Sequence, residues 1–267
     1  MGSVTYSNGI SILELIVYLP SFFAASSLVY RHGVRRSGGF IFLVIFTIAR
    51  IVGSSCNLAT INNPSTDLAI TAAICSSIGL SPLLMTCSGL LSRANESMPR
   101  PTIPKYAFSF FRILTIAALA VTISGITSDM TPQGLRTPNT EVKVGMILYI
   151  VSWAILCVLL GILSLRRLSL PGGEERTLVA VAISAPFLLI RIIYAILLWF
   201  VADDAFNAVD GNNTAQLFMA IFEEIIVVGV CLGVGFRLRV RDRNGNGNGN
   251  GKGWGAALGS ERDNEMA

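Results

Sequence analysis

Apolar residues in this chain gather into blocks long enough to cross a lipid bilayer, and nothing else in the sequence constrains the fold as strongly. A hydrocarbon layer about 30 Å thick is crossed by about 20 helical residues. Backbone amides in that layer have no water to bond, so an isolated spanning segment is a helix. Seven blocks meet this description: Ile10–Tyr30, Gly39–Thr60, Leu68–Leu91, Ala107–Thr127, Val144–Leu165, Thr177–Val201 and Ala215–Phe236. Polar segments bearing Pro or Gly separate them. Only 13% of the residues are charged, about half the share of a soluble domain. The expected fold is all-α, a polytopic membrane bundle of seven transmembrane helices over residues 1–237. Residues 238–267 contain "NGNGNGNGKGWG". Such a Gly/Asn repeat buries too little apolar surface to offset its ordering entropy and reads as a disordered cytosolic tail.

Basic residues set the expected orientation, because Lys and Arg concentrate in cytosolic loops. Arg31, Arg35 and Arg36 follow the first block, and Arg93, Arg100 and Lys105 follow the third. Arg166, Arg167 and Arg176 follow the fifth, and Arg237, Arg239, Arg241 and Arg243 the seventh. The opposite connections hold only Arg136 and Lys143. The N-terminus is therefore expected outside or in a lumen and the C-terminus in the cytosol, in a multi-pass protein of the plasma membrane or an endomembrane. Asn212-Asn213-Thr214 is a glycosylation sequon on the outer side, while Asn95-Glu96-Ser97 falls on the cytosolic side and is expected bare. The first block has no preceding basic residue and no following Ala-x-Ala site, so it reads as a span and not as a removed signal peptide.

Several chemistries find no support. The cysteines Cys56, Cys75, Cys87, Cys157 and Cys231 sit in apolar segments without CxxC spacing and read as packing residues. His32 is the single histidine. No metal site and no cofactor is expected. The alternating glycines neither follow a strand nor open a helix, so they make no nucleotide fingerprint. The net charge of +4 is explained by the cytosolic loops and implies no nucleic-acid partner. The expected partners are the bilayer and a small apolar or lipid-like ligand, with oligomeric state left open.

The most informative residues are charges inside the blocks. A charged side chain at mid-span costs about 2.5–3.5 kcal/mol on insertion scales. Glu14, Arg50, Arg191, Glu223 and Glu224 lie too deep for easy escape, whereas Arg112 near a helix end can snorkel. At about 1.5 Å of rise per residue, all five deep residues fall at the midplane or in the outer half. Glu14, Tyr18 and Ser21 share one helical face, as do Arg50, Ser54 and Asn57, and Ser184, Arg191 and Tyr194. Adjacent Glu223 and Glu224 point about 100° apart, so one is expected to address the first or second span and the other the sixth. Bidentate Arg–carboxylate pairs are expected, with one carboxyl left over. An unpaired carboxyl in hydrocarbon favours its protonated form. Glu14, Arg50, Asn57, Arg191, Tyr194, Glu223 and Glu224 are the candidate polar cluster and ligand pocket. The same residues in a purely structural role would fix helix register.

Weaker features complete the reading. Pro20, Pro82 and Pro186 are expected to kink their helices. Gly229 and Gly233 form a GxxxG expected to allow close packing within the bundle. Ser76, Ser77, Ser81, Thr86 and Ser88 make the third block polar and are expected to bond neighbouring helices. Tyr30 reads as an interfacial anchor.

Longer stretches carry a family resemblance. They are "RHG" after the first block, "SGGFIFLVIFTIARIVGSSCNLATI", "GLSPLLMTCSGLLSRAN", "PFLLIRIIYAIL" and "MAIFEEIIVV". With them the chain resembles, nearly throughout up to Phe236, a fungal seven-transmembrane family known as a domain of unknown function (DUF7702-like). The resemblance implies a fungal integral membrane protein and supplies no activity, no catalytic residue and no cofactor. Three functions stay open. A receptor-like sensor suits seven spans with an outer-half pocket. A membrane-embedded, terpene-cyclase-like enzyme would use a neutral Glu as initiating acid, although the Asn-x-x-Trp-Glu-like segment of such cyclases is missing. A small proton-coupled transporter would use Glu and Arg at mid-depth, although no inverted repeat is evident.

Overall fold

The computed structural model describes residues 6–32, 39–61, 78–98, 100–128, 140–167, 173–200 and 221–238, together with Leu68, Thr71, Ala72, Ile74 and Cys75. The Gly/Asn tail and Asn212 lie outside the described residues. The described chain is all-α: α1 (Tyr6–His32), α2 (Phe40–Ala59), α3 (Leu80–Ser97), α4 (Lys105–Ser128), α5 (Thr140–Leu165), α6 (Glu175–Phe200) and α7 (Phe222–Arg237). No strand occurs among the described residues. By length and composition, 5 helices can cross a membrane: Asn8–Arg31, Phe40–Ala59, Lys105–Ser128, Thr140–Leu165 and Glu175–Leu197.

The other two helices differ from those spans. The described part of α7 is 16 residues long. Helix α3 is the least apolar of the set, and its position explains why. It packs against α2, α4, α5, α6 and α7, while α1 meets α2 and α7. Almost its whole circumference is buried, from Leu80, Ser81 and Pro82 through Arg93, Ala94 and Asn95. A helix surrounded by other helices needs no lipid-facing apolar stripe. Its hydroxyls turn inward: Thr86 Oγ1 donates to Pro82 O at 2.8 Å and lies 3.3 Å from the carbonyl of Gly39, the residue just before α2. Pro82 falls in the first turn of α3, where its missing N–H has no intrahelical partner to lose. Pro20 and Pro186, by contrast, lie inside helices α1 and α6, which continue through them.

Polarity is inverted relative to a soluble protein. Ile16, Phe23 and Ile113 are each 67% exposed, whereas Glu224 is 1% exposed. Apolar side chains outside and charges inside is the arrangement hydrocarbon favours. Tyr30 at the end of α1 and Tyr106 at the start of α4 stand almost fully exposed, as rings anchored at an interface do.

Close helix packing uses glycines other than those of the GxxxG pair. A Cβ at Gly235 would strike Leu28 and Phe40, one at Gly145 would strike Thr122, and one at Gly39 would strike the Thr86 backbone. Gly229 and Gly233 have open space where a Cβ would stand. They lie on the exposed face of α7 with Phe222 and Phe236, so the expected internal GxxxG contact is not made among the described residues.

At the far end of α3, Asn95 binds the following connection. Its Nδ2 donates to Ile103 O at 2.8 Å, and its Oδ1 accepts from Thr102 N and Ile103 N at 3.0 Å each. Arg93, expected in a loop, is instead a buried residue of α3, with its Nε 3.4 Å from Glu174 Oε1.

Candidate functional site

The buried face of α2 reads Phe40, Leu43, Phe46, Thr47, Arg50, Ser54, steps of three, four and seven that keep one side of a helix inward. The apolar members of that face pack the core, and the same periodicity carries Arg50 into the interior. On α1 the positions Ser11, Glu14 and Tyr18 turn inward by the same rule. Helix α6 contributes Arg191 and Tyr194, and α7 contributes Glu223 and Glu224.

These side chains meet at Glu224. Its Oε1 pairs with Arg50 Nη2 in a close contact and with Arg191 Nε at 3.0 Å. Its Oε2 lies 3.4 Å from the Tyr18 hydroxyl, which donates to it. Helices α1, α2 and α6 are thus all tied to one carboxylate of α7. Arg50 also reaches Glu14, with Nη1 3.5 Å from Oε1. The Ser54 hydroxyl stands against Glu14 Oε2 and 2.8 Å from Arg50 O; its single proton serves one acceptor at a time. Asn57 lies one turn further along α2, and its Nδ2 donates to Ser11 Oγ of α1 at 2.8 Å. A polar seam therefore runs between α1 and α2 from Asn57 to the ionic centre.

Aromatic rings enclose the guanidiniums. Arg50 Cζ lies 5.7 Å from the Phe46 ring centroid, and Arg191 Cζ lies 5.7 Å from that of Tyr194, both within cation–π range. Tyr18 packs edge-on against Phe46 at 5.5 Å and 84°, which aims its hydroxyl at Glu224.

The pairing differs from separate bidentate pairs. Both arginines converge on one oxygen of Glu224, and Arg50 bridges two carboxylates. Glu224 bonds α1, α2 and α6; the 100° step between neighbours on a helix points Glu223 in a different direction. Glu223 is 6% exposed, and its Oε2 has no hydrogen-bond partner among the described residues. The charges of Arg191 and Glu224 act on it. Arg50 Nε, Ser81 Oγ and the Tyr149 hydroxyl are likewise buried without a partner among the described residues.

Gly79 has no counterpart in the sequence reading. A Cβ there would lie 3.0 Å from Arg50 Nη2, 3.1 Å from Glu224 Oε1 and 3.2 Å from a Phe46 ring carbon. The backbone just before α3 therefore forms one wall of the ionic centre. Its only signal was "GLSP", a glycine before a polar helix start. Ser21, on the Glu14 face at i+7, donates its hydroxyl to Val17 O of its own helix at 2.7 Å.

Among the described residues no group of His, Cys, Asp and Glu could hold a metal ion. Chemically, the centre is a neutral set of two guanidiniums and two carboxylates, with Glu223 as an additional carboxyl. No match to a curated protein or to a solved structure was found. Residues 4–241 match the domain of unknown function DUF7702. That match covers most of the chain and takes in every residue of the ionic centre, and the chain belongs to the DUF7702 family.

Proposed function

We propose that the protein is a receptor-like sensor in the membrane, with Glu224 as the hub of a ligand-responsive lock. The reading takes the chain as a seven-span protein with its N-terminus outside and C-terminus cytosolic, placing the hub in the outer half. The observation that carries it is the sharing of one carboxylate by Arg50 of α2, Arg191 of α6 and Tyr18 of α1. Buried charges that lose a partner are costly, about 3–5 kcal/mol for a broken pair. A ligand that competes for Glu224 or its arginines would therefore release several helices together. Packed interfaces respond to such an event by switching between discrete arrangements.

Spin-label distances between Ile45 of α2 and Phe236 of α7, both exposed, test the lock in nanodiscs. Wild type should give one narrow distribution, and Glu224→Gln a broadened or displaced one. A lipid extract of the native membrane added to wild type should move it the same way. Identical distributions in all three samples would overturn the sensor reading.

A second reading draws on Glu223. A buried carboxyl oxygen without a partner among the described residues suits an acid that protonates an apolar substrate. Loss of a specific lipid metabolite from cells lacking the protein would favour that enzyme over the sensor.

A further inference from the structure

We infer that Glu223 is the anchor of a binding site for a protonated amine carrying an apolar body. The inference rests on the reading of the ionic centre as a ligand seat and names the ligand's chemistry. It begins with charge. Among the described side chains, Arg50 and Arg191 stand against Glu14 and Glu224, so with Glu223 ionised these five groups carry one net negative charge. In a low-dielectric interior an uncompensated charge is expensive, and one monovalent cation balances this one.

Geometry places the open valence on Glu223. Its Oε2 is buried and accepts from no donor among the described residues. Arg191 has its Nε on Glu224 Oε1 at 3.0 Å and its guanidinium carbon 5.7 Å from the Tyr194 ring centroid. The residues one turn on along α7, Ile226 and Val227, are apolar. An ammonium supplies the N–H donor and the positive charge that Oε2 lacks. An alkyl chain supplies the body that the surrounding helices and bilayer accept. A neutral alcohol of equal length would bring a donor without the charge. A carboxylate or phosphate would add to the excess negative charge.

The Tm of the detergent-solubilised full chain tests this at neutral pH, with decylamine, decyltrimethylammonium and decanol at matched concentrations. Decylamine should raise the wild-type Tm by about 5 °C, the scale of saturating ligand on a chain this size. Decanol should raise it by less than about 1 °C, since partitioning alone gives no charge pairing. Decyltrimethylammonium, lacking an N–H donor, should fall between. Glu223→Gln should abolish the decylamine shift, and Glu223→Asp, the fallback if Glu223→Gln does not fold, should reduce it at least by half. Equal shifts with decanol, an undiminished shift in Glu223→Gln, or no shift with any amine would overturn the site. So would a Tm that responds to pH but not to amine, meaning that Glu223 takes a proton only. Decylamine binding without a change in the Ile45–Phe236 distance would leave this site standing and remove the sensor reading. A distance change with lipid extract but no amine binding would do the reverse.

Discussion

At the residue scale, the decisive property of the bundle is how little room surrounds the Glu224 carboxylate. Gly79 is the plainest case, because its missing side chain leaves the volume that Arg50 Nη2 and Glu224 Oε1 occupy. Gly79→Ala is expected to push both groups apart and destabilise the protein by about 1–3 kcal/mol, the usual cost of overpacking. Reversible thermal or denaturant unfolding in mixed micelles measures it; an unchanged or raised stability would show that the wall is soft. The charged members of the cluster were legible in the sequence, since Glu14, Arg50, Arg191, Glu223 and Glu224 stand out against apolar neighbours. Their partition was not. Which of two adjacent acids faces the arginines depends on the rotation of α7, which an apolar block specifies only loosely. Gly79 was illegible for a different reason: a glycine announces neither a wall nor a turn until its neighbours are placed.

At the element scale, α1, α2, α4, α5 and α6 were readable because lipid exposure demands long apolar runs. Helix α3 was harder to delimit, since a buried helix can be polar wherever its neighbours accept hydrogen bonds. The expected third span ended at Leu91, but the helix continues to Ser97. It does so because Arg93 finds Glu174 and Asn95 finds the backbone of Thr102 and Ile103. Asn95 thus connects α3 to the segment that leads into α4. Asn95→Ala removes three hydrogen bonds to backbone. It is expected to cost about 2–3 kcal/mol, at about 1 kcal/mol per bond. Limited proteolysis should then cut residues 98–104 at least tenfold faster, and an unaltered cleavage rate would refute the clamp.

At the scale of the whole molecule, charges inside and large apolar side chains outside describe a body built for hydrocarbon. The orientation rests on loop charge alone, and its expected outcome is simple. Full-length protein made in a eukaryotic membrane should carry glycan at Asn212, removable by an endoglycosidase, and none at Asn95. A protease added to sealed vesicles from the cytosolic side should trim the Gly/Asn tail. Glycan-free protein with a protected tail would reverse the topology. The seven-block count came from hydropathy, which reads lipid-facing surfaces. It had less to say about α3, whose surroundings are protein, and about how α7 turns its two acids.

The central placement of α3 also bears on how the chain enters the membrane. Its later neighbours α4, α5, α6 and α7 are made after it, and among the described helices that pack substantially against it α2 precedes it. When α3 leaves the ribosome, most of the surface that will enclose its serines, threonines and Arg93 does not yet exist. Such a segment is poorly retained by lipid on its own. It should linger beside the insertion machinery until the second half of the protein arrives to take it in.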